Sequence, residues 1–450
     1  MDTLQSTQFP RLDTCSRKTI INYFKNSWEL EDVLMKSLVG EETFYISPDP
    51  LRNRLIFYLG HSAVFYINKF LGVGLLDKPI NPNYEILFEI GVDPETPEEL
   101  DQATKDIHWP TVEEVWRYRD QVYGVVIETI EKTPLNLPIH QNHPLWALMM
   151  GIEHSRTHFE TSSMLIRQLP VERLEHPESW NYAVSNGKVS RNEMLQVSGG
   201  SVALGKPEDY PTYGWDSEYG NRSVEVKPFF ASEYLITNGE FLEFVNDNGY
   251  DNLDYWDKKS WIWKTTSNIK HPKFWIPTNG GYKYRALFDE IDLPLDWPVE
   301  VNHHEAMAYC RWKGKGIRLM SEGEWNLATA GRDESSTTLK QDPFAIQDYN
   351  LNLKFGSPSP VGMLETAKSP AGLYDLRGNV WEWLSDDFKP LPGFKPHRLY
   401  EDYSAPFFDT QHNMMLGGAW VTTGTEASTF YRNWFRPYFY QHAGFRIAAS

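Results

Sequence analysis

The clearest chemical signal in the sequence is a pair of histidines, His154 and His158, which lie four positions apart. On a helix, residues i and i+4 share one face, one turn apart, so both imidazoles can reach a single metal ion. Ser155 stands where the helical zinc-protease motif carries its general-base glutamate, which excludes that class of protease. The spacing therefore predicts a metal site of another kind.

A third imidazole would complete a three-nitrogen site, and His61 is the best candidate. It lies within an apolar helical stretch that we expect to pack beside the helix of His154 and His158, and Gly60 permits a close approach. The alternative is that all three histidines are ordinary polar residues of amphipathic helices. Three neutral imidazoles suit zinc, iron, copper and nickel about equally well. Three protein ligands leave coordination positions open, which is typical of catalytic sites.

Two further regions are candidates for substrate binding. Arg119 interrupts the apolar stripe of a predicted helix, where it can pair with a substrate carboxylate or form an ordinary surface ion pair. Gln441 and His442 lie in a segment that is dense in aromatic residues. His442 can line a pocket there, and a buried, hydrogen-bonded histidine is an equally good interpretation.

The histidines need rigid elements to hold them, and the first part of the chain supplies amphipathic helices. Their boundary signals include a capping box, Thr111 with Glu114, and Pro170 after the last helix. Four long helices make a bundle the natural fold, with the polar connection at 77–108 as a crossover. The first two predicted helices span 27–38 and 51–71. The third begins near Trp109, and the fourth spans 144–169.

The texture of the sequence changes after this part. Periodicity fades over residues 171–193, so we predict a boundary near Asn186, with a helical domain at 20–185 and a second domain at 186–450. The second domain has dense turn signals and short apolar runs, one good helix at His303–Lys313 and a possible second at 321–330. The predicted class is α+β, a helical bundle followed by irregular chain and short strands.

The composition excludes several classes of function. The 450 residues include 43 Lys and Arg against 61 Asp and Glu, a formal charge of −18, which argues against nucleic acid as the main partner. The two cysteines, Cys15 and Cys310, exclude a disulfide scaffold and an all-cysteine metal site. Residues 1–10 carry no apolar signal core and no apolar run is long enough to span a bilayer, so we expect a cytoplasmic protein without a membrane segment.

The second domain also carries motifs of tight turns followed by tryptophan. They are AYCRW at 308–312, RLMSEGEW at 318–325, GNVWEW at 378–383 and LGGAW at 416–420. These motifs, GNVWEW above all, resemble the formylglycine-generating-enzyme-like (sulfatase-modifying factor) domain, which has a C-type-lectin-like fold. The first half, with its three histidines, resembles a DinB-like four-helix bundle. The combination is similar to the non-haem iron sulfoxide synthases.

Further segments are similar to the ovothiol branch of those enzymes. They are FEIGVD at 88–93, HPLW at 143–146, MGIEH at 150–154, ETSS at 160–163, IRQLP at 166–170, YGWD at 213–216 and FRPYFYQHAGFR at 435–446. This resemblance implies that cysteine, histidine and dioxygen react to give 5-histidylcysteine sulfoxide. It also implies an Fe(II) cofactor held by His61, His154 and His158, with the substrates at the open positions.

The same resemblance implies roles for other residues. It places an active-site tyrosine in the segment YEDY at 400–403, where we favour Tyr403 over Tyr400 as the proton donor. Arg119, Gln441 and His442 are the candidate substrate-binding residues.

The sequence departs from the family pattern at two points. Many ovothiol enzymes carry a C-terminal methyltransferase, whereas this sequence stops at Ser450, so we expect any methylation of the product to need a separate methyltransferase. Ser155 replaces the glutamate expected between the metal histidines, and we expect little effect on ligation because that position points away from the metal.

Three alternatives come from other classes of function. An ergothioneine-type sulfoxide synthase would use hercynine, the trimethylated histidine, and its trimethylammonium group needs aromatic faces where a free amino group needs carboxylate or amide partners. A related transfer of selenium or sulfur to an imidazole belongs to the same alternative. Formylglycine generation is excluded because it needs a cysteine pair and the second domain has only Cys310. A non-catalytic binding protein would have no use for three metal-binding histidines.

Overall fold

The computed structural model describes residues 4–89, 91, 94–188, 191–330 and 346–450. The family-like segment at 88–93 is therefore only partly covered, and its residues Ile90, Val92 and Asp93 lie outside the described residues.

The first half of the chain is helical, as predicted. Its helices are α1 Arg17–Lys36, α2 Leu55–Gly72, α3 Pro82–Leu87, α4 Pro97–Thr104, α5 Val112–Lys132 and α6 Leu145–Ile166. The four predicted helices are confirmed as α1, α2, α5 and α6. Helix α1 begins earlier than predicted because the Ser16 side chain accepts a hydrogen bond from the Thr19 backbone and caps its N-terminus. The predicted capping box of Thr111 and Glu114 is present at the start of α5.

The four long helices pack in a closed ring. Helix α2 packs against α5 and α6, and α1 packs against the same two helices. All side chains of α2 at residues 55–67 are buried, which explains why its sequence is apolar on every face. The short helices α3 and α4 lie in the connection between α2 and α5. The likeness of this arrangement to DinB proteins stays a prediction.

The second half mixes helices with short strands, which confirms the α+β class. The helices are α7 Asn238–Asn246, α8 Lys258–Thr266, α9 His303–Lys313 and α10 Glu322–Ala330, and α9 has the predicted bounds. The strands are β1 Met194–Val197, β2 Gly200–Leu204, β3 Arg222–Val226, β4 Phe229–Ser232, β5 Trp275–Thr278, β6 Gly281–Arg285, β7 Glu290–Asp292, β8 Trp381–Asp387, β9 Asn413–Leu416, β10 Asn433–Phe435, β11 Ala443–Gly444 and β12 Ala448–Ala449.

Within the described ranges these strands form small sheets in the orders β1-β4-β12, β10-β9-β8-β11, β2-β3 and β5-β6-β7. The sheet that matters for the site is the second. Strand β8, which begins inside the GNVWEW motif, pairs antiparallel with β9 and parallel with β11, with Ala443 opposite Trp381. This pairing brings the motif beside the C-terminal aromatic segment, although the two are far apart in sequence.

One continuous apolar core runs through both halves of the chain. Buried residues of α2 and α6 belong to the same hydrophobic cluster as Trp215, Trp420 and Phe445 of the second half. The connecting segment is also held in place, since the Trp180 indole donates to the Gly356 carbonyl at 2.8 Å. The predicted boundary near Asn186 stays a prediction.

In the part of the chain that the structure describes, no helix is both long and apolar enough to cross a bilayer.

Candidate metal centre

Helices α2 and α6 bring the three predicted metal ligands together. His154 and His158 lie one turn apart on α6, and His61 faces them from α2. The ring centroids of His61 lie 4.9 Å from His154 and 4.5 Å from His158, and those of His154 and His158 are 4.4 Å apart. One nitrogen from each ring lies within 4.8 Å of the others. This separation places three nitrogen donors around one position that an ion can occupy.

The close packing of α2 and α6 depends on Gly151 and not on Gly60, the glycine that the sequence indicated. A Cβ on Gly60 would lie 2.7 Å from the ring of Phe88, so Gly60 makes room for the α2–α5 connection rather than for α6. A Cβ on Gly151 would lie 2.5 Å from the ring of Tyr66, so Gly151 is the residue that lets α6 approach α2.

The hydrogen bonds of the three rings leave nitrogens free for a ligand. His61 Nδ1 lies 2.6 Å from the Phe88 carbonyl oxygen and donates to it, which directs the Nε2 lone pair away from that bond. Both ring nitrogens of His154 and Nδ1 of His158 are buried without a hydrogen-bond partner among the described residues. Burying an unsatisfied polar atom is costly, so the donor set fits a bound metal ion.

The electrostatics of the site favour neutral imidazoles. Burial lowers the pKa of His61 to about 4, and burial together with the neighbouring imidazoles lowers the pKa values of His154 and His158 well below their usual range. A neutral imidazole keeps the lone pair that a metal ion needs.

Aromatic rings hold these imidazoles in place. Phe65 stacks on His154 with centroids 3.6 Å apart and an interplanar angle of 7°. Phe57 stacks on His61 with centroids 4.9 Å apart. The rings fix the orientation of the ligands and exclude water from one side of the site.

The two candidate tyrosines differ in their distance from this centre. The ring of Tyr400 lies 6.3 Å from that of His154 and 5.4 Å from that of Phe65. Tyr403 lies one layer further out, stacked on Trp215 at 4.1 Å, with its hydroxyl 3.1 Å from that of Tyr431. Burial raises the pKa of Tyr400 and of Tyr403 above the usual value, so both phenols are protonated. The geometry thus favours Tyr400, whereas the sequence analysis favoured Tyr403.

The structure places Arg119 in an internal cluster instead of beside the histidines. Its side chain is 1% exposed, and its guanidinium donates to Asp32 and to the Leu59 carbonyl, both at 3.0 Å. A second carboxylate, that of Glu31, lies 3.4 Å away. Arg119 therefore forms an ion pair with protein carboxylates, and this ion pair is buried inside the bundle rather than on the surface.

The neighbours Gln441 and His442 have separate environments. His442 is fully buried, with Nε2 2.9 Å from the Ser163 hydroxyl and Nδ1 3.3 Å from a Glu300 carboxylate oxygen. Both of its nitrogens are therefore used within the protein, which agrees with the structural interpretation. Gln441, in contrast, lines a cleft that also exposes His158.

A second face of α6 joins the site to the other half of the chain. Glu153 accepts hydrogen bonds from the Thr425 backbone at 2.8 Å and its hydroxyl at 2.9 Å. Glu160 accepts from the Trp381 indole at 2.5 Å and from the Thr422 hydroxyl at 2.6 Å. These carboxylates were not predicted from the sequence, although two glutamates seven positions apart lie on the same face of a helix and are a usable signal.

The cleft beside His158 contains another residue that the sequence analysis missed. Arg52 lies just before α2 and lines this cleft together with Asp49, Tyr440 and Gln441. An arginine that precedes an apolar helix gives no periodic signal, so its place in the site emerges only from the packing of the second half against the first.

Comparisons with known proteins agree with this architecture. The family model of the sulfatase-modifying factor enzyme 1-like domain matches residues 181–450, more than half of the chain. "Hercynine oxygenase" of Mycobacterium tuberculosis is 33% identical over 241 residues, which cover 52% of this chain and 55% of that protein. "Hercynine oxygenase" of Mycolicibacterium thermoresistibile is 28% identical over 418 residues, 89% of this chain and 88% of that protein.

A fungal relative is similar over most of this chain. "Ergothioneine biosynthesis protein 1" of Neurospora crassa is 26% identical over 503 aligned positions, 93% of this chain and 56% of that protein. The chain thus spans about half the length of this relative and of the Mycobacterium tuberculosis protein, and most of the length of the Mycolicibacterium protein.

Proposed function

The chain belongs to the family of proteins with a sulfatase-modifying factor enzyme 1-like domain, and from this premise we propose that it is a metal-dependent sulfoxide synthase. Such an oxidoreductase joins the sulfur of cysteine to an imidazole carbon with dioxygen as the oxidant. The observation that carries the proposal is the cluster of His61, His154 and His158, whose buried nitrogens lie within 4.8 Å of one another.

The reaction can be written so that atoms and electrons balance. The S–H bond of cysteine and one ring C–H bond of the imidazole break, and a C–S bond and an S=O bond form. One oxygen atom of O2 becomes the sulfoxide oxygen and the other leaves as water. Forming the C–S bond removes two electrons from the substrates and forming the sulfoxide removes two more, which together reduce O2 completely.

We propose Fe(II) as the ion that the three histidines hold. Three neutral imidazole ligands leave positions open for substrates, which suits a catalytic site rather than a structural one. When bound there, iron would supply the redox chemistry that couples oxidation of the two substrates to reduction of dioxygen. The Phe88 carbonyl fixes the tautomer of His61, and Phe57 and Phe65 hold the rings of His61 and His154 in place.

Tyr400 is the best-placed proton donor for this reaction. Its ring is the nearer of the two candidate phenols to the histidines, and its pKa is raised by burial, so its proton stays available at neutral pH. Lys69 supports it, because the Lys69 ammonium lies 4.5 Å from the Tyr400 ring and donates to the Leu399 carbonyl at 2.5 Å. Tyr403 then serves to position Tyr400 through the contact of their rings at 5.4 Å.

The imidazole substrate of the proposed reaction is histidine, which would give 5-histidylcysteine sulfoxide as in the ovothiol branch. A second candidate is hercynine, which would make the chain an ergothioneine-type synthase. The names of the relatives favour hercynine. The polar side chains of Asp49 and Gln441 beside His158 favour an unmethylated amino group.

A direct assay tests both candidates. The protein is purified without oxygen, loaded with Fe(II), and exposed to O2 with cysteine and either histidine or hercynine. Mass spectrometry of the products identifies the sulfoxide, and the oxygen consumed is compared with the sulfoxide formed. Equal amounts of the two support the proposal, and the preferred imidazole selects between the candidates. If iron-loaded protein consumes no oxygen with either pair of substrates, the proposed activity is wrong.

A further inference from the structure

Arg52 differs from Arg119 and Arg167 because its guanidinium has no anionic partner among the described residues. Arg167 pairs with Glu300 at 2.7 Å and Arg119 pairs with Asp32 at 3.0 Å. In the described part of the chain, no carboxylate or hydrogen-bond acceptor lies within bonding distance of the Arg52 guanidinium. A half-buried cation without an anion or a hydrogen-bond acceptor, beside a candidate metal centre, needs an explanation.

Aromatic rings hold the Arg52 side chain in place. The guanidinium carbon lies 4.6 Å from the centroid of Phe439 and 5.9 Å from that of Phe435. A guanidinium that stacks on an aromatic face leaves the N–H groups at its edge free. Those N–H groups can form two parallel bonds to a carboxylate. The position is therefore preorganised for an anion, and the ordering cost has already been met by the protein.

The rest of the cleft matches the head group of an amino acid. His158 lines the cleft that Arg52 lines, so one small molecule can reach both. The cleft also contains the Asp49 carboxylate, one oxygen of which accepts from the Leu51 backbone at 2.9 Å, and the amide of Gln441. A cation and a carboxylate in one cleft complement the carboxylate and ammonium groups of a free α-amino acid.

We propose that Arg52 binds the α-carboxylate of the amino-acid substrate whose side chain reaches the three histidines. This assignment rests on the proposed function for the identity of the substrate. Cysteine and histidine both carry an α-carboxylate, so the shared chemistry is that of a free α-amino acid. Histidinol and cysteamine lack the carboxylate and identify which of the two substrates Arg52 holds.

The test compares Arg52→Met with Arg54→Met. Methionine keeps an unbranched side chain over Phe439 and removes the charge. Arg54, two positions further on, is exposed and makes no capping hydrogen bond with its side chain, which makes it the matched control. Binding of histidine, histidinol, cysteine and cysteamine to the iron-loaded proteins is measured by calorimetry without oxygen, and KM and kcat are measured with oxygen.

We expect Arg52→Met to raise the Kd of one amino acid by about 10- to 100-fold, the range for loss of a charge-assisted bidentate bond. The Kd of the matching analogue without the carboxylate should stay within about twofold, and Arg54→Met should behave as the unaltered protein. Arg52→Gln, which keeps a hydrogen-bond donor, provides a second variant if the methionine variant fails to fold by circular dichroism.

Two results would overturn the assignment. If Arg52→Met weakens an amino acid and its analogue equally, Arg52 shapes the cleft without binding the carboxylate. If the variant binds all four compounds as the unaltered protein does, Arg52 has no part in binding.

The binding measurement separates this inference from the proposed function. Carboxylate-dependent binding through Arg52, in a protein that forms no sulfoxide, would support the assignment and contradict the proposed function. Sulfoxide formation with an unchanged Kd in Arg52→Met would do the reverse.

Discussion

Helix α6 contacts buried histidines in two regions, that of His442 and that of His154. The regions differ in whether the ring nitrogens form hydrogen bonds within the protein. His442 is fully buried and has partners on both nitrogens, Ser163 on one side and Glu300 on the other. His154 is buried to the same degree and has a partner on neither. Burial and residue type are the same in the two regions, so hydrogen bonding is what distinguishes a structural histidine from a candidate ligand.

The surroundings of the two regions explain this difference. Glu300 accepts two hydrogen bonds from Arg167, at 2.7 and 2.8 Å, and one from the Tyr284 hydroxyl, so the region of His442 satisfies its own charges. The ring of His154 instead stacks on Phe65, which offers no hydrogen bond. An unpaired ring nitrogen in such a place is costly, and a metal ion that takes up its lone pair removes that cost.

The largest expected effect comes from removing one of the histidines proposed to bind the metal. His154→Ala and His158→Ala should each lower metal affinity by more than about 100-fold, beyond the loss typical of changes around a metal ligand, and should abolish sulfoxide formation. Elemental analysis of the purified proteins measures the metal, and circular dichroism checks that the bundle remains folded.

His442→Ala and His108→Ala are the controls for this comparison. His108 is exposed, and His442 has both nitrogens bonded within the protein, so both variants should retain the metal. His61→Ala should behave as His154→Ala does. Full metal occupancy in any of the three ligand variants would show that the metal site is misassigned.

The candidate metal ligands could be predicted from the sequence because their main signal is local. The four-residue spacing of His154 and His158 on a helix places both on one face without any knowledge of the fold. His61 required the further assumption that α2 packs beside α6, and that assumption proved right because α2 is apolar on every face and must be buried. The four helices were predictable for the same reason.

The region of His442 could not be predicted, since its partners are distant in sequence. Ser163 is 279 positions away and Glu300 is 142 positions away, and no pattern in the chain links them. The partner of Arg119 could not be predicted either, because a charge on an apolar stripe looks the same whether its partner is a substrate or Asp32. The choice between Tyr400 and Tyr403 depends on the path of an irregular segment, which periodicity does not describe.

The second largest effect should come from breaking the buried ion pair in the region of His442. Arg167→Met should lower the free energy of unfolding by about 3–5 kcal/mol, because it leaves the buried Glu300 carboxylate without its cationic partner. Chemical denaturation measures the change, and the metal content should remain that of the unaltered protein.

The half-exposed pair of Arg173 and Glu42 provides the matched comparison. Arg173→Met should cost less than about 1 kcal/mol, since a surface ion pair contributes little. If the two arginine variants are equally stable, the buried network does not stabilise the junction between the two halves.

The same region should show its own pH dependence. Burial alone would raise the pKa of Glu300, but Arg167 and His442 outweigh it and lower the value to about 2, from about 4.5 in an unfolded chain. A depressed carboxyl pKa contributes stability that is fully present above pH 4.5 and is lost as the pH falls towards 2. The stability advantage of the unaltered protein over Glu300→Gln should therefore be constant from pH 7 to 5 and shrink below 4.5.

Urea denaturation of both proteins at pH 7, 5 and 3 checks this expectation, with an advantage on the order of 1–3 kcal/mol at pH 7. An advantage that grows below pH 4.5 would mean that Glu300 is protonated in the native state, and the ion pair with Arg167 would then be ruled out.

The smallest expected effect concerns the tyrosines, and it tests whether closeness to the unpaired histidines decides function. A cysteine thiolate can be oxidised twice at sulfur, giving cysteine sulfinic acid, or once, with the second oxidation used for the C–S bond. A protonated phenol beside the site favours the second outcome by supplying a proton. Tyr400→Phe removes only that hydroxyl and should shift the product ratio towards sulfinic acid by about 10-fold, since water can partly replace the phenol.

Tyr403→Phe is the matched control, because Tyr403 differs from Tyr400 mainly in position. Its hydroxyl bonds to Tyr431 and its ring stacks on Trp215, so its loss should lower stability by about 1 kcal/mol and leave the product ratio nearly unchanged. Liquid chromatography with mass spectrometry measures both products from one reaction. If the product ratio shifts in Tyr403→Phe but not in Tyr400→Phe, the Tyr403 hydroxyl acts through Tyr431, and the Tyr400 hydroxyl beside His154 is not the proton donor. Equal product ratios in all three proteins would mean that the proton comes from solvent, from substrate or from Tyr58, whose ring lies 6.2 Å from that of His158.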